Sequence, residues 1–186
     1  MKVNRIYNYV NEEKLRNRLE DVLVDLAGQV MIPIASKNRI LHMLVLLEQI
    51  FSKSQKLQSQ ANRATPDEKP VLYLEYMSRD TLDVAKSHLN WMNFKGGFQD
   101  IDDNPFAFKN IKAINNLQEL AQELEARKPR VIVTSSASLE LGFGRKHLKD
   151  FVSESANMII FTEQEFVSER SLAQKILQGD KLLRDN

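Results

Sequence analysis

Apolar positions along the chain follow two patterns. Leu15, Leu19, Val22 and Leu23 recur at helical spacing, which predicts a first helix that Asn11 can cap and Gly28 ends. Val30-Met31-Ile32-Pro33-Ile34 is instead an unbroken apolar run with the length of a buried strand. Pro33 carries no backbone donor, so it belongs near that strand's end or on an irregular edge. Ser36 can cap a second helix whose stripe is Ile40, Leu44, Leu47 and Phe51, widened by Leu41 and Val45. Ser54 to Lys69 is polar and reads mostly as loop. Val71-Leu72-Tyr73-Leu74 forms a second strand. Ser78 can cap a third helix with Leu82, Ala85, Leu89 and Met92 inward and Trp91 beside them, broken at Gly96-Gly97.

The second half repeats the alternation. Asp100 to Asn115 is irregular, with a short strand near Phe108 to Ile111. A fourth helix carries Leu117, Leu120, Ala121 and Leu124, and Pro129 precedes a third strand, Val131 to Val133. A helix from about Arg145 to Ser153 buries Leu148, Phe151 and Val152. Met158 to Phe161 is a fourth strand, and a last helix near Ser168 to Gln178 shows Leu172, Ala173, Ile176 and Leu177. The strands are continuous apolar runs without alternation, the mark of strands covered on both faces. The expected fold is therefore α/β, a mostly parallel central sheet with helices on both faces and right-handed crossovers.

Composition narrows the function classes. The 186 residues suit one domain, large enough to bury a core without staples. There is no cysteine, hence no disulfide framework and no thiolate metal site. With 26 basic and 25 acidic residues the formal charge is +1, so no overall field argues for nucleic acid. No apolar run approaches the roughly 18 residues that cross a bilayer, and Met1-Lys2-Val3-Asn4-Arg5 does not open a signal peptide. No membrane partner is expected.

Candidate chemistry is sparse. His42, His88 and His147 all fall in expected helices, and no two are spaced as a helical metal pair. Asp100, Asp102 and Asp103 cluster in a loop but lack calcium-loop spacing. Ser135, Ser136 and Ser138 follow a strand without a nucleophile elbow around them. No catalytic residue, metal site or cofactor is assigned. The richest stretch is Arg130 to Arg145, where the third strand empties into Thr134-Ser135-Ser136-Ala137-Ser138 and then Gly142-Phe143-Gly144-Arg145. Loops at the carboxyl ends of parallel strands are where ligands usually sit. Arg127, Lys128 and Arg130 flank Pro129, and Arg145, Lys146, His147 and Lys149 open the following helix. Cations at a helix start oppose its dipole. Arg145 and Lys146 thus point to an anion or an acidic partner, or to an ordinary solvated face.

Three ordered segments carry a resemblance: Leu89-Asn90-Trp91-Met92, then Asn104-Pro105-Phe106-Ala107-Phe108-Lys109, then Val131 through Arg145. Together they resemble the β-CASP domain of the metallo-β-lactamase-type RNA-processing nucleases. Within that family, Leu139-Glu140-Leu141-Gly142-Phe143-Gly144-Arg145 resembles the catalytically inactive large subunit of the cleavage and polyadenylation specificity factor better than the active one. Active subunits tend to read Ala-Ser-Pro-Gly-Met where this chain has Thr134 to Ser138, so only a serine is kept.

The resemblance implies that the chain is a single β-CASP-like domain, residues 1–186, excised from a longer protein. The family's zinc ligands lie in a neighbouring domain and just beyond the β-CASP region, and none of their motifs occurs here. The implied function is non-catalytic: a nuclear domain of a pre-mRNA 3′-end processing subunit. Its partners would be the nuclease subunit and other subunits of the complex, with contact to pre-mRNA. Ser135, Ser136, Ser138, Arg145, Lys146 and Lys149 are the candidate RNA or partner contacts, facing the interdomain cleft. Trp91, Asn104, Pro105, Phe106, Phe108 and Gly142 are candidate structural residues. Two alternatives stay open: a fragment of an active zinc-dependent endoribonuclease, and a small-anion-binding α/β module.

Overall fold

A computed structural model of the chain describes residues 2–5, 12–35, 37–57, 69–88, 104–125, 128–162 and 171–178, with backbone alone at 2–5 and 37–38. Its centre is a six-stranded, all-parallel sheet. The strands are β1 (Lys2–Arg5), β2 (Val30–Ile34), β3 (Val71–Leu74), β4 (Ile111–Ile114), β5 (Val131–Ser135) and β6 (Met158–Phe161). They lie in the order β1-β6-β2-β5-β3-β4. Between them run α1 (Glu12–Glu20), α2 (Lys37–Lys53), α3 (Ser78–Ser87), α4 (Leu117–Leu124), α5 (Gly142–Ser153) and α6 (Leu172–Gln178). This is the α/β class that the apolar runs indicate. Among the described residues no helix is long and apolar enough to cross a membrane.

Both faces of the sheet are packed, and strand periodicity decides which side chain goes where. Val30, Ile32, Ile34, Val71, Tyr73, Val131, Val133, Met158 and Ile160 join Leu15, Leu19, Leu44 and Leu47 of α1 and α2 on one face. The intervening Met31, Leu72, Leu74, Ile132, Ile159 and Phe161 meet Leu120 of α4, Phe143, Leu148 and Phe151 of α5, and Ala173 and Ile176 of α6 on the other. Each core side chain of these strands is buried. Fully burying an aliphatic or aromatic side chain stabilises by roughly 1.5–3 kcal/mol, so the two layers hold the sheet from both sides.

Several expectations need correction. β1 was not anticipated: Lys2-Val3-Asn4-Arg5 is an edge strand, paired only to β6, and an edge tolerates polar residues. The fourth strand in sequence is Ile111–Ile114, not Phe108 to Ile111. Glu48 clamps the residues before it, accepting from the Lys109 and Asn110 backbone N–H groups and the Asn110 side chain. The first helix passes into a wide π turn, Asp21–Asp25, and its left-handed residue is Ala27 rather than Gly28. Gly28 is there for space. A Cβ on it would lie 2.2 Å from the Ala156 carbonyl oxygen.

Ser78 is not a cap but the first residue of α3, and its hydroxyl donates to Asn115 Oδ1. The stretch read as loop from Ser54 onward includes a helical turn at residues 55–57, anchored by buried Ser54, which donates to Glu20 Oε1, and by fully buried Leu57. Ala121 faces solvent instead of the core. Pro33 lies in the interior β2, but β2 pairs with β6 only at Val30 and Met31, so its missing donor falls where that ladder has ended. Asn11, Ser36, Leu89, Trp91, Met92, Gly96, Gly97, Asp100, Asp102, Asp103 and Arg127 lie outside the described residues.

Candidate functional site

All six strands run parallel, so their carboxyl ends share one edge of the sheet. At that edge β5 runs on to Ser135, and the chain reaches α5 through Ser136 to Leu141. Three residues there take positive φ: Ser136 at 69°, Leu139 at 56° and Gly142 at 80°. Two are not glycine, a conformation that costs about 1–2 kcal/mol for an ordinary residue. Contacts on every side hold it. Leu139 N–H donates to the Ser136 carbonyl at 3.0 Å, and Ala173 N–H of α6 donates to the Ser138 carbonyl at 3.0 Å. The Ser136 and Ser138 hydroxyl oxygens lie 3.2 Å apart. Leu139 and Ala137 are buried beneath them.

The loop delivers α5 directly onto the end of β5. A Cβ on Gly144 would lie 2.7 Å from Thr134 Cγ2 and 3.0 Å from Thr134 Oγ1. Glycine is therefore what lets helix and strand touch. α5 begins at Gly142, three residues before the expected start, because two glycines with low helix propensity obscure its first turn. Leu141 occupies the N-cap without a side-chain cap hydrogen bond. The first-turn N–H groups of a helix have no partner within it. The positive end of α5 thus lies at the sheet's carboxyl edge.

Arg145, Lys146 and Lys149 are exposed on α5. The shift of the helix start places Arg145 and Lys146 one turn inside it and Lys149 about two, and Arg145 and Lys146 both neighbour Lys149 at spacings of four and three. None of the three is ion-paired among the described residues. Lys146 Nζ lies 5.8 Å from the Phe143 ring centroid. Ser135 and Ser138 are half-buried and Ser136 is engaged with Ser138, so the serines shape the loop while the cations reach solvent. His147 turns the other way. Its ring meets Phe151 edge-on at 6.0 Å, and its Nε2 is buried without a hydrogen-bond partner. Burial holds its imidazole below the usual range, with Asp150 opposing the shift.

Sequence reasoning missed the aromatic pair beside this helix. Tyr76, just past β3, stacks on Phe143 with centroids 4.0 Å apart and planes tilted by 33°. The one available signal was a tyrosine and a methionine placed after an all-apolar strand. The Asn104 segment lies elsewhere. Asn104 Oδ1 accepts from Phe106 N–H at 2.9 Å, its amide donates to the Lys86 carbonyl, and Phe106 is buried edge-to-face against Phe108. Pro105 is half-buried in that turn.

Among the described residues no group of three or more His, Asp or Glu side chains could hold a metal ion.

The family model described as Beta-Casp domain matches residues 40–176. The chain is 31% identical over 163 residues to the "Cleavage and polyadenylation specificity factor subunit 2" of Oryza sativa subsp. japonica, covering 87% of this chain and 20% of that protein. It is 30% identical over 165 residues to the "Cleavage factor two protein 2" of Schizosaccharomyces pombe, covering 86% and 19%. It is 26% identical over 154 residues to the "Endoribonuclease YSH1" of Eremothecium gossypii, covering 82% and 19%. The chain spans about a fifth of the length of these curated relatives.

Proposed function

Because the chain belongs to the Beta-Casp domain family, we propose that it serves as the non-catalytic β-CASP domain of a nuclear pre-mRNA 3′-end cleavage and polyadenylation subunit. In this reading it is one domain of a longer protein. It supports assembly with a nuclease subunit and contacts RNA through the carboxyl edge of its sheet. The observation that carries the reading is the rank of its relatives. Identity is 31% and 30% to the specificity factor subunit 2 and cleavage factor two proteins, against 26% to the endoribonuclease. The departure from Ala-Ser-Pro-Gly-Met at Thr134 to Ser138 points the same way. The name of the endoribonuclease relatives supports a second reading, a domain from an active nuclease. Intact zinc-ligand motifs in the flanking sequence of the parent would favour it.

The contact surface is Arg145, Lys146 and Lys149, with the Ser135 to Ser138 loop setting their position. Lysine and arginine at phosphates release counterions, so RNA affinity should fall with salt. The test is a triple variant, Arg145→Gln, Lys146→Gln and Lys149→Gln, titrated with single-stranded RNA and with the nuclease subunit. Loss of either interaction supports the assignment. Unchanged binding to both overturns it.

A further inference from the structure

The cations alone do not account for this edge. The chain's formal charge is only +1, and exposed Glu140 and Asp150 flank the same three cations. Attraction for phosphate is therefore local and modest, and a ligand held here needs a second, uncharged contact. Tyr76 supplies a surface for one. It is 62% exposed, while the Phe143 against which it stacks is only 6% exposed and anchored in the core layer. A ring backed by a buried ring presents a fixed apolar surface at low entropic cost. Glu75, immediately before it, already accepts the Tyr73 hydroxyl. Lys146 borders the pair from the α5 side. Met77 at 52% and Leu141 at 75% exposure extend the apolar rim.

Resting on the RNA-contact reading above, we propose that Tyr76, backed by Phe143, is a stacking platform for an unpaired base of single-stranded RNA whose phosphates lie along Arg145, Lys146 and Lys149. Aromatic side chains interleaved with cations are how single strands are held without sequence readout, since every base offers a π face. A stacked base needs an exposed ring beside a phosphate-binding cation, and that is the juxtaposition at this edge. A purely apolar partner would gain nothing from the cations.

The test measures fluorescence anisotropy with a labelled ten-nucleotide oligo(A) RNA, an abasic RNA of equal length and a duplex RNA. Native chain should bind oligo(A) about tenfold more tightly than the abasic strand or the duplex. Tyr76→Ala should weaken oligo(A) binding about tenfold and leave the abasic strand unaffected, while Tyr76→Phe binds as native. If Tyr76→Ala binds oligo(A) normally while the triple glutamine variant loses it, the platform is wrong and the charge reading stands. If oligo(A) does not bind the native chain, the platform and the RNA contact are both wrong, and only the protein-partner role of the cations is left to the test above. A concentration-dependent dimer that Tyr76→Ala dissolves would assign the face to a second copy and overturn the proposal. The abasic comparison on native chain needs no variant, so it stands whether or not Tyr76→Ala folds.

Discussion

The two ends of the sheet are built in opposite ways. At the amino end the connections close on one another. Asn157 accepts from Gln29 N–H at 2.8 Å and donates to the Phe151 carbonyl at 2.8 Å. Arg130 is buried and donates to the Lys69 carbonyl at 2.7 Å. Backbone bonds link Val30 to Arg130, Val131 to Pro70, Val71 to Asn110 and Met158 to Gln29. Gly28 lies directly against Ala156. At the carboxyl end the Ser136 to Leu141 loop is fixed from beneath, but the edge around it offers a bare helix start, three cations with no ion pair among the described residues and an exposed tyrosine. The amino-end connections are tied to one another, while beside β5 at the carboxyl end a helix start, three cations and a tyrosine stay exposed. Stability and binding should therefore separate by position.

Substitutions sharpen or break that contrast. Gly28→Ala carries the largest expected cost, on the order of 3 kcal/mol, because the new methyl meets backbone that cannot turn aside. Urea unfolding checks it, and RNA affinity of the folded fraction should not change. Asn157→Ala comes next, at about 2 kcal/mol, since it strands a backbone N–H and a carbonyl. Gly144→Ala sits on the border between the two behaviours. Its methyl would press on the Thr134 side chain, which costs about 1–2 kcal/mol after the gain in helix propensity. It should also shift α5 enough to weaken RNA binding. Leu141→Ala, which exchanges one residue without a capping group for another, should change stability by less than about 0.5 kcal/mol, as exposed positions do. A stability loss at Leu141 as large as at Asn157 would erase the distinction.

The smallest effect is a dependence on pH. His147 is held below its free value of 6.5 by burial, so the unfolded chain binds its proton more readily than the folded one. The stability this neutral ring contributes is complete above about pH 6.5 and is lost as pH falls below it. The urea midpoint should drop between pH 7.5 and pH 5.5. His147→Gln should flatten that drop, and an unchanged slope would remove His147 as its source.

How much of this was legible depended on whether the physics was local. β2, β3, β5 and β6 could be read because strands covered on both faces must be apolar throughout, as Val71 to Leu74 and Met158 to Phe161 are. β1 could not, because an edge strand reading Lys-Val-Asn-Arg has no such signature. Phe108 drew the fourth strand three residues too early, because an apolar side chain in a packed loop looks like strand. The need for glycine at 28 and 144 comes from Ala156 and Thr134, neighbours that only the fold supplies. The cations at Arg145, Lys146 and Lys149 were visible as a charge run, but their place one to two turns inside α5 was not. Tyr76 became noticeable only once the sheet brought β3 beside β5 and set its ring on Phe143.

The central claim is that the carboxyl edge is the surface open to a ligand. Hydrogen–deuterium exchange of the chain with and without saturating oligo(A) RNA tests it most directly. The account predicts added protection at Glu75 to Met77 and Ser135 to Lys149, with Gly28 to Val30 and Ala156 to Met158 unchanged. Protection at the amino end instead, or none at the carboxyl edge, would contradict it.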